Sequence, residues 1–151
     1  MTLYLIIKYL HILLAIVAVG FNASYAIWLG RAAREPQHLS HVLRGIKALD
    51  DRFANPGYGL LLATGLLMVW VGRLSIMTLW IGAALAIYVV LIIVGGAFYS
   101  PTLRRQIAAL ESDGAESPEY QRLAQRGTTI GLVLLVLVLT IIFLMVVKPT
   151  L

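Results

Sequence analysis

Four long apolar blocks, separated by polar connections, set the pattern of this chain. They cover residues 3–29, 54–71, 76–99 and 128–147. A bilayer core of about 30 Å is crossed by about 20 apolar residues in an α-helix, a length that these blocks reach or approach. We therefore predict an all-α fold, a polytopic membrane protein built as a four-transmembrane-helix bundle, with one domain covering 1–151.

The first connection carries an amphipathic pattern. Six apolar residues recur there at helical spacing: Leu39, Val42, Leu43, Ile46, Leu49 and Phe53. We assign four charged residues to the opposite face: Arg44, Lys47, Asp50 and Asp51. Such a helix is typical of the headgroup region of a bilayer. The sequence thus predicts a short interfacial amphipathic helix that is broken at Asn55-Pro56-Gly57, where the second span starts.

The last span has a helix start signal. Ser117 precedes Pro118, an order in which the serine caps the helix and the proline takes its first position. The fourth helix is therefore predicted to run from Pro118 to Val147, with its first turns in water.

Composition and charge agree with a membrane location. Hydrophobic residues make up 60% of the chain and charged residues only 13%, whereas soluble domains carry about a quarter charged residues. Nine basic residues lie in the first and third connections: Arg31, Arg34, Arg44, Lys47, Arg52, Arg104, Arg105, Arg122 and Arg126. Outside the spans, only Arg73 and Lys148 lie on the other side; Lys8 is set aside because it lies within the first span. By the positive-inside rule both termini are predicted to lie outside, in a bacterial inner membrane.

This distribution of charge also bears on the class of protein. The net charge of +5 marks membrane orientation, so nucleic acid is not an expected partner. The chain has no cysteine, which excludes thiol chemistry. No carboxylate lies in a predicted span, which argues against a proton-driven transporter.

The first span contains two ionisable residues, Lys8 and His11, and such residues are costly inside a membrane. Five further residues share their face of the helix: Tyr4, Ala15, Ala18, Asn22 and Tyr25. In one interpretation this stripe is a packing face, with His11 and Asn22 hydrogen-bonded to a neighbouring helix. In the other, His11 ligates haem iron and the alanines leave room for the flat ring.

The predicted topology places Arg73 and Lys148 on the same side of the membrane as Lys8 and His11. Three cations around one imidazole suit the propionates of a haem. His38 and His41 are three residues apart and are predicted on the opposite side. A solvated helix face is the favoured interpretation for that pair over a shared metal.

Both ends of the chain resemble known membrane proteins. Lys8-Tyr9-Leu10-His11 and Val146-Val147-Lys148-Pro149 resemble HemJ-type protoporphyrinogen oxidases, copper-resistance CopD-type proteins and a related group of uncharacterised predicted membrane proteins. The resemblance to the last group covers nearly all four spans, with Thr64-Gly65 in the second. In HemJ-type proteins the first-helix histidine is taken to bind haem b, and the resemblance implies that role for His11.

Two functional hypotheses follow. In the first, the chain binds haem b through His11, its metal ligand, with Lys8, Arg73 and Lys148 near the cofactor, and serves electron transfer or haem-linked redox chemistry. In the second, it is a cofactor-free accessory or scaffolding subunit of a larger membrane complex. Neither decides whether the chain is an enzyme. The expected partners are the lipid bilayer and either another membrane protein or further copies of the chain.

Overall fold

The computed structural model describes residues 2–149, and the elements within this range are helical. Six α-helices follow one another: α1 (Thr2–Ala32), α2 (Pro36–Leu49), α3 (Asn55–Val71), α4 (Leu79–Ile93), α5 (Ser100–Asp113) and α6 (Pro118–Val147). The π-helical turns Asp50–Ala54 and Val94–Tyr99 join α2 to α3 and α4 to α5 without interruption. The chain therefore forms four long helices, each long and apolar enough to cross a membrane. The predicted all-α, four-helix membrane fold is confirmed.

Each π-helical turn ends two residues before a proline. Pro56 follows the turn Asp50–Ala54, and Pro101 follows the turn Val94–Tyr99. Proline has no N–H to donate, and in a regular α-helix its ring clashes with the carbonyl group four residues earlier. The i to i+5 bonding of a π-helical turn changes the backbone at that position, and the helix continues. The predicted break at Asn55-Pro56-Gly57 is therefore wrong.

The start of α6 confirms the sequence prediction. The Ser117 hydroxyl accepts a hydrogen bond from the Tyr120 backbone N–H at 3.2 Å, and Pro118 opens the helix. The helix ends at Val147, after which Lys148 takes a left-handed backbone conformation with φ of 48°. That conformation is a common way to stop a helix.

Charged residues mark the two ends of the apolar parts of α1 and α6, and so define two levels along the helix axes. Arg126 and Lys148 delimit the apolar part of α6 and stand 22 positions apart, about 33 Å at 1.5 Å per residue. Lys8 and Arg31 delimit α1 over 23 positions, about 35 Å. These lengths suit a hydrocarbon core of about 30 Å. We call the part between the two levels the membrane section and the level of Lys8 and Lys148 the terminal end.

At the opposite end the helices extend beyond the membrane section, and we call residues 32–54 and 100–126 the head. The last turns of α1, together with α2, α5 and α6, enclose a buried core there. Its members are Tyr25, Ala32, Leu39, Leu43, Ile46, Leu103, Ala109, Tyr120 and Leu123. On the surface of the head, the Arg44 guanidinium lies 2.6 Å from the Glu111 carboxylate and joins α2 to α5. The head therefore packs like a small soluble domain.

A helix with the predicted amphipathic pattern is present as α2, and its position in the headgroup region stays a prediction. Leu39, Leu43 and Ile46 lie in the head core, where α2 packs against α1 and α5. Protein covers these side chains. Phe53, in the π-helical turn, is 56% exposed, and its ring lies 6.0 Å from that of Phe21.

The membrane section is built from two antiparallel pairs, α1 with α3 and α4 with α6. The Tyr88 hydroxyl of α4 donates a hydrogen bond to the Tyr58 backbone oxygen of α3 and so links the two pairs. The outward faces are apolar and uncovered by protein; Leu139 of α6, for example, is 53% exposed. Such faces suit contact with lipid.

Candidate functional site

The stripe predicted on the first helix packs against α3, where glycines make room for it. A methyl group built on Gly65 would lie 3.3 Å from His11 Cε1, and one on Gly72 would lie 3.0 Å from Tyr4 Cε2. Rings of α1 therefore rest on the bare backbone of α3. Small residues at such positions let two membrane helices approach closely.

His11 is half-buried and hydrogen-bonded across this contact. Its Nδ1 lies 2.8 Å from Thr64 Oγ1. The Thr64 hydroxyl donates to backbone oxygens of its own helix, at 2.7 Å for Leu60 and 3.1 Å for Leu61. With its proton engaged there, Thr64 Oγ1 accepts from His11, so we assign the proton to Nδ1. The other nitrogen, Nε2, then keeps its lone pair.

Asn22 makes a second polar contact from the same stripe. Its amide donates to the Tyr58 hydroxyl of α3 at 2.7 Å and to the Ala18 backbone oxygen at 3.0 Å. The predicted hydrogen bonds from His11 and Asn22 to a neighbouring helix are thus confirmed.

The alanines between the two polar contacts do not line an open space. Ala18 is only 2% exposed, and a methyl group on Gly57 would lie 3.9 Å from its Cβ. Helix α3 therefore occupies the face on which the sequence predicted room for a flat ring. That part of the prediction is wrong, because the same small side chains that would admit a ring also admit a helix.

The three predicted cations lie at or near the terminal end, and the described residues show no hydrogen bond from them to His11. Lys8 is exposed on α1. Arg73 is exposed in the connection between α3 and α4, with a left-handed φ of 51°. Lys148 places its ammonium group over the Trp80 ring, 5.5 Å from its centroid. The structure thus assigns Lys148 a cation–π contact with α4.

The histidine pair of α2 lies in the head. The His38 side chain is 61% exposed and 3.6 Å from the carboxylate of Glu35, and His41 is exposed as well. Among the residues that the structure describes, no group of three His, Cys, Asp or Glu side chains could hold a metal ion. The favoured interpretation of a solvated face agrees with this exposure.

Asp50 is a buried residue that the sequence reasoning placed incorrectly. It was assigned to the polar face of the amphipathic helix but is only 6% exposed. Its position four residues after Ile46 and seven after Leu43 puts it on the apolar face. The sequence shows this spacing, whereas the polarity of the side chain favours the opposite face.

The surroundings of Asp50 leave its charge poorly compensated. Its carboxylate has an amide contact with Asn55 at 3.4 Å, while the nearby Lys47 forms an ion pair with Asp51. Burial raises the pKa of the Asp50 carboxyl, and Lys47 opposes this shift only in part. The Tyr25 hydroxyl is buried without a hydrogen-bond partner in the described part of the chain.

Comparison with known proteins gives one finding. A family model described as "Predicted integral membrane protein (DUF2269)" matches residues 5–149. No curated protein and no solved structure matches the chain. The match agrees with the resemblance to uncharacterised predicted membrane proteins, while the relation to HemJ-type and CopD-type proteins stays a prediction.

Proposed function

The chain belongs to the DUF2269 family of predicted integral membrane proteins, and we propose that it binds one b-type haem with His11 as the axial ligand. The observation that carries this proposal is the hydrogen bond between His11 Nδ1 and Thr64 Oγ1. Histidines that ligate metals usually donate their other N–H to a neighbouring acceptor, which fixes the tautomer and the ring orientation. Thr64 supplies that acceptor, and Nε2 is left free to ligate iron.

The residues near His11 fit such a group in part. Lys8 lies three positions before His11 on α1, and Arg73 follows α3 at the same end; both are exposed and can pair with propionates. Lys148 would first have to leave the Trp80 ring. Because α3 covers the Ala18 face, the ring would have to approach His11 from another side. A bound haem supplies one-electron redox chemistry, and the role of this chain is to ligate and orient it.

An absorption spectrum tests the proposal. Protein expressed with ample haem and purified in mild detergent should show a Soret band that shifts on reduction with dithionite. His11→Ala should abolish the band while the protein stays inserted and monodisperse. The double variant His38→Ala, His41→Ala should keep it. A colourless wild-type protein would refute haem binding.

Thr64 offers a sharper test of the same contact. Thr64→Val removes the acceptor and should weaken haem affinity by about 10–100-fold, as loss of outer-shell partners does. Thr64→Ser keeps the hydroxyl and should bind haem as the wild type does. Equal haem affinity in both variants would show that Thr64 does not position His11.

The accessory-subunit hypothesis is supported by a different aspect of the same contacts. His11 and Asn22 already have partners on α3, so the stripe is satisfied without a cofactor. On this view His11→Ala removes an interhelical hydrogen bond, costing about 0.6–2 kcal/mol, and changes no spectrum. Loss of thermal stability without any absorbance in the wild type would favour this alternative.

We also propose that both termini lie outside a bacterial inner membrane, with the head in the cytoplasm. The support is the distribution of Lys and Arg, nine against two. Accessibility tags near Gly45 and Gly114 should report cytoplasm, and tags at the termini the outside. A cytoplasmic C-terminus would overturn the proposed orientation.

A further inference from the structure

A groove lies at the border between the head and the membrane section, between α6 and the segment where α4 passes into α5. It encloses about 230 Å³. Ala97, Phe98, Pro101 and Leu123 form its apolar part, and Arg105 and Arg126 supply its positive charge. The groove thus combines an apolar surface with two guanidinium groups.

The two arginines are free to bind an anion. Within residues 2–149, neither has a carboxylate within ion-pair distance, in contrast to Arg44, which is paired with Glu111. Both side chains are exposed. Guanidinium groups bind phosphate oxygens through two parallel hydrogen bonds, and two such groups favour an anionic ligand over a zwitterionic one.

The depth of the groove relative to the membrane indicates that a phosphate bound there would belong to a lipid headgroup. Arg126 is the last charged residue before 21 uncharged positions of α6, residues 127–147, which cover about 32 Å and so fill the hydrocarbon core. Arg126 therefore lies at the depth of lipid headgroups. Phe98 is 47% exposed and lies on the membrane side of Arg105 along the chain, where an acyl chain would run. Basic pockets between membrane helices commonly hold anionic headgroups.

We propose that this groove binds one anionic phospholipid, with its phosphate between Arg105 and Arg126 and an acyl chain against Phe98. A lipid with a small anionic headgroup, of the phosphatidylglycerol class, matches the charge of two guanidinium groups. The site is separate from His11, which lies in the contact between α1 and α3.

Native mass spectrometry of the detergent-purified full chain tests the proposal. Phosphatidylglycerol should bind at least about tenfold more tightly than phosphatidylcholine with the same acyl chains, a difference of about 1.4 kcal/mol. Arg105→Gln together with Arg126→Gln should remove this preference. The control pair Arg31→Gln, Arg34→Gln removes the same charge outside the groove and should retain it.

Three results would overturn the proposal. The first is equal binding of the two lipids by the wild type. The second is an equal loss of binding in both double variants, which would indicate a diffuse basic surface. The third is full displacement of the lipid by excess inorganic phosphate, which would indicate a site for a soluble anion. Because all four arginines are exposed, the variants should fold. The single change Arg105→Gln should remove part of the preference for phosphatidylglycerol, which provides an independent check.

Discussion

The head and the membrane section are made of the same helices but held together in different ways. In the head, side chains from four helices meet in a buried core around Leu43, which is 0% exposed. In the membrane section, α1 meets α3 over glycines, and most large apolar side chains face outward. Water drives the first kind of packing, whereas lipid is as apolar as the side chains and favours close backbone contact instead. Stability should therefore depend on large residues in the head and on small ones in the membrane section.

The largest expected effect comes from the head core. Leu43→Ala should destabilise the protein by about 3 kcal/mol, because it leaves a cavity among the eight other residues of the head core. Leu139→Ala, the same change on the lipid-facing side of α6, should cost less than about 0.5 kcal/mol. Unfolding in detergent measures both. Similar losses for the two variants would mean that the head and the membrane section do not differ in packing.

The membrane section should respond to the opposite change, from small to large. Gly65→Leu forces a side chain against the His11 ring, where a methyl group alone would be 3.3 Å away, and should cost about 1–3 kcal/mol. Gly20→Leu is a matched control, since nothing lies within 4 Å of a methyl group there. A tolerated Gly65→Leu would show that α1 and α3 pack less closely than described.

Asp50 should be an exception to the favourable packing of the head. Because burial raises the pKa of its carboxyl, the folded state binds this proton more tightly than the unfolded state does. Stability should therefore rise as pH falls from neutral through the folded-state pKa towards the usual value of about 4.

The variant Asp50→Asn removes the buried charge, so it should be more stable at neutral pH and should lose this pH dependence. Asp113→Asn changes an exposed carboxylate and should leave the pH profile of unfolding unchanged. A less stable Asp50→Asn would indicate that the ionised carboxylate is compensated.

The smallest effect is expected at the surface of the head. Arg44→Ala breaks the ion pair with Glu111, and exposed pairs contribute about 0–1 kcal/mol. The change should be smaller still at high salt, because salt screens exposed charges. A loss comparable to that of Leu43→Ala would mean that charge, more than apolar burial, joins α2 to α5.

Periodicity predicted some features well because they depend on one helix at a time. Spacing alone predicts the stripe from Tyr4 to Tyr25, and the order of Ser117 and Pro118 predicts the cap of α6. The partner of His11 was not predictable, because a single sequence does not say which spans are neighbours. Thr64-Gly65 takes part in the resemblance to uncharacterised membrane proteins, but nothing in the sequence links Thr64 to His11.

Proline caused the other main discrepancy. The sequence predicts a break at Pro56, yet Pro56, like Pro101, follows a π-helical turn inside a long helix. The sequence shows the conflict between proline and an α-helix but not its resolution, since the chain can either end the helix or change its hydrogen bonding for one turn. The packing of α2 and α5 in the head favours continuation.

The distance between the two charged levels also determines the tilt of the protein in its membrane. Its charge-free length of about 33–35 Å exceeds an average hydrocarbon core by a few ångströms, a mismatch that helices relieve by tilting. A tilt of about 20° shortens 33 Å to about 31 Å. Because the head core binds all four helices together, they have to lean as one body. Bilayer thickness therefore sets the angle at which the head meets the membrane surface.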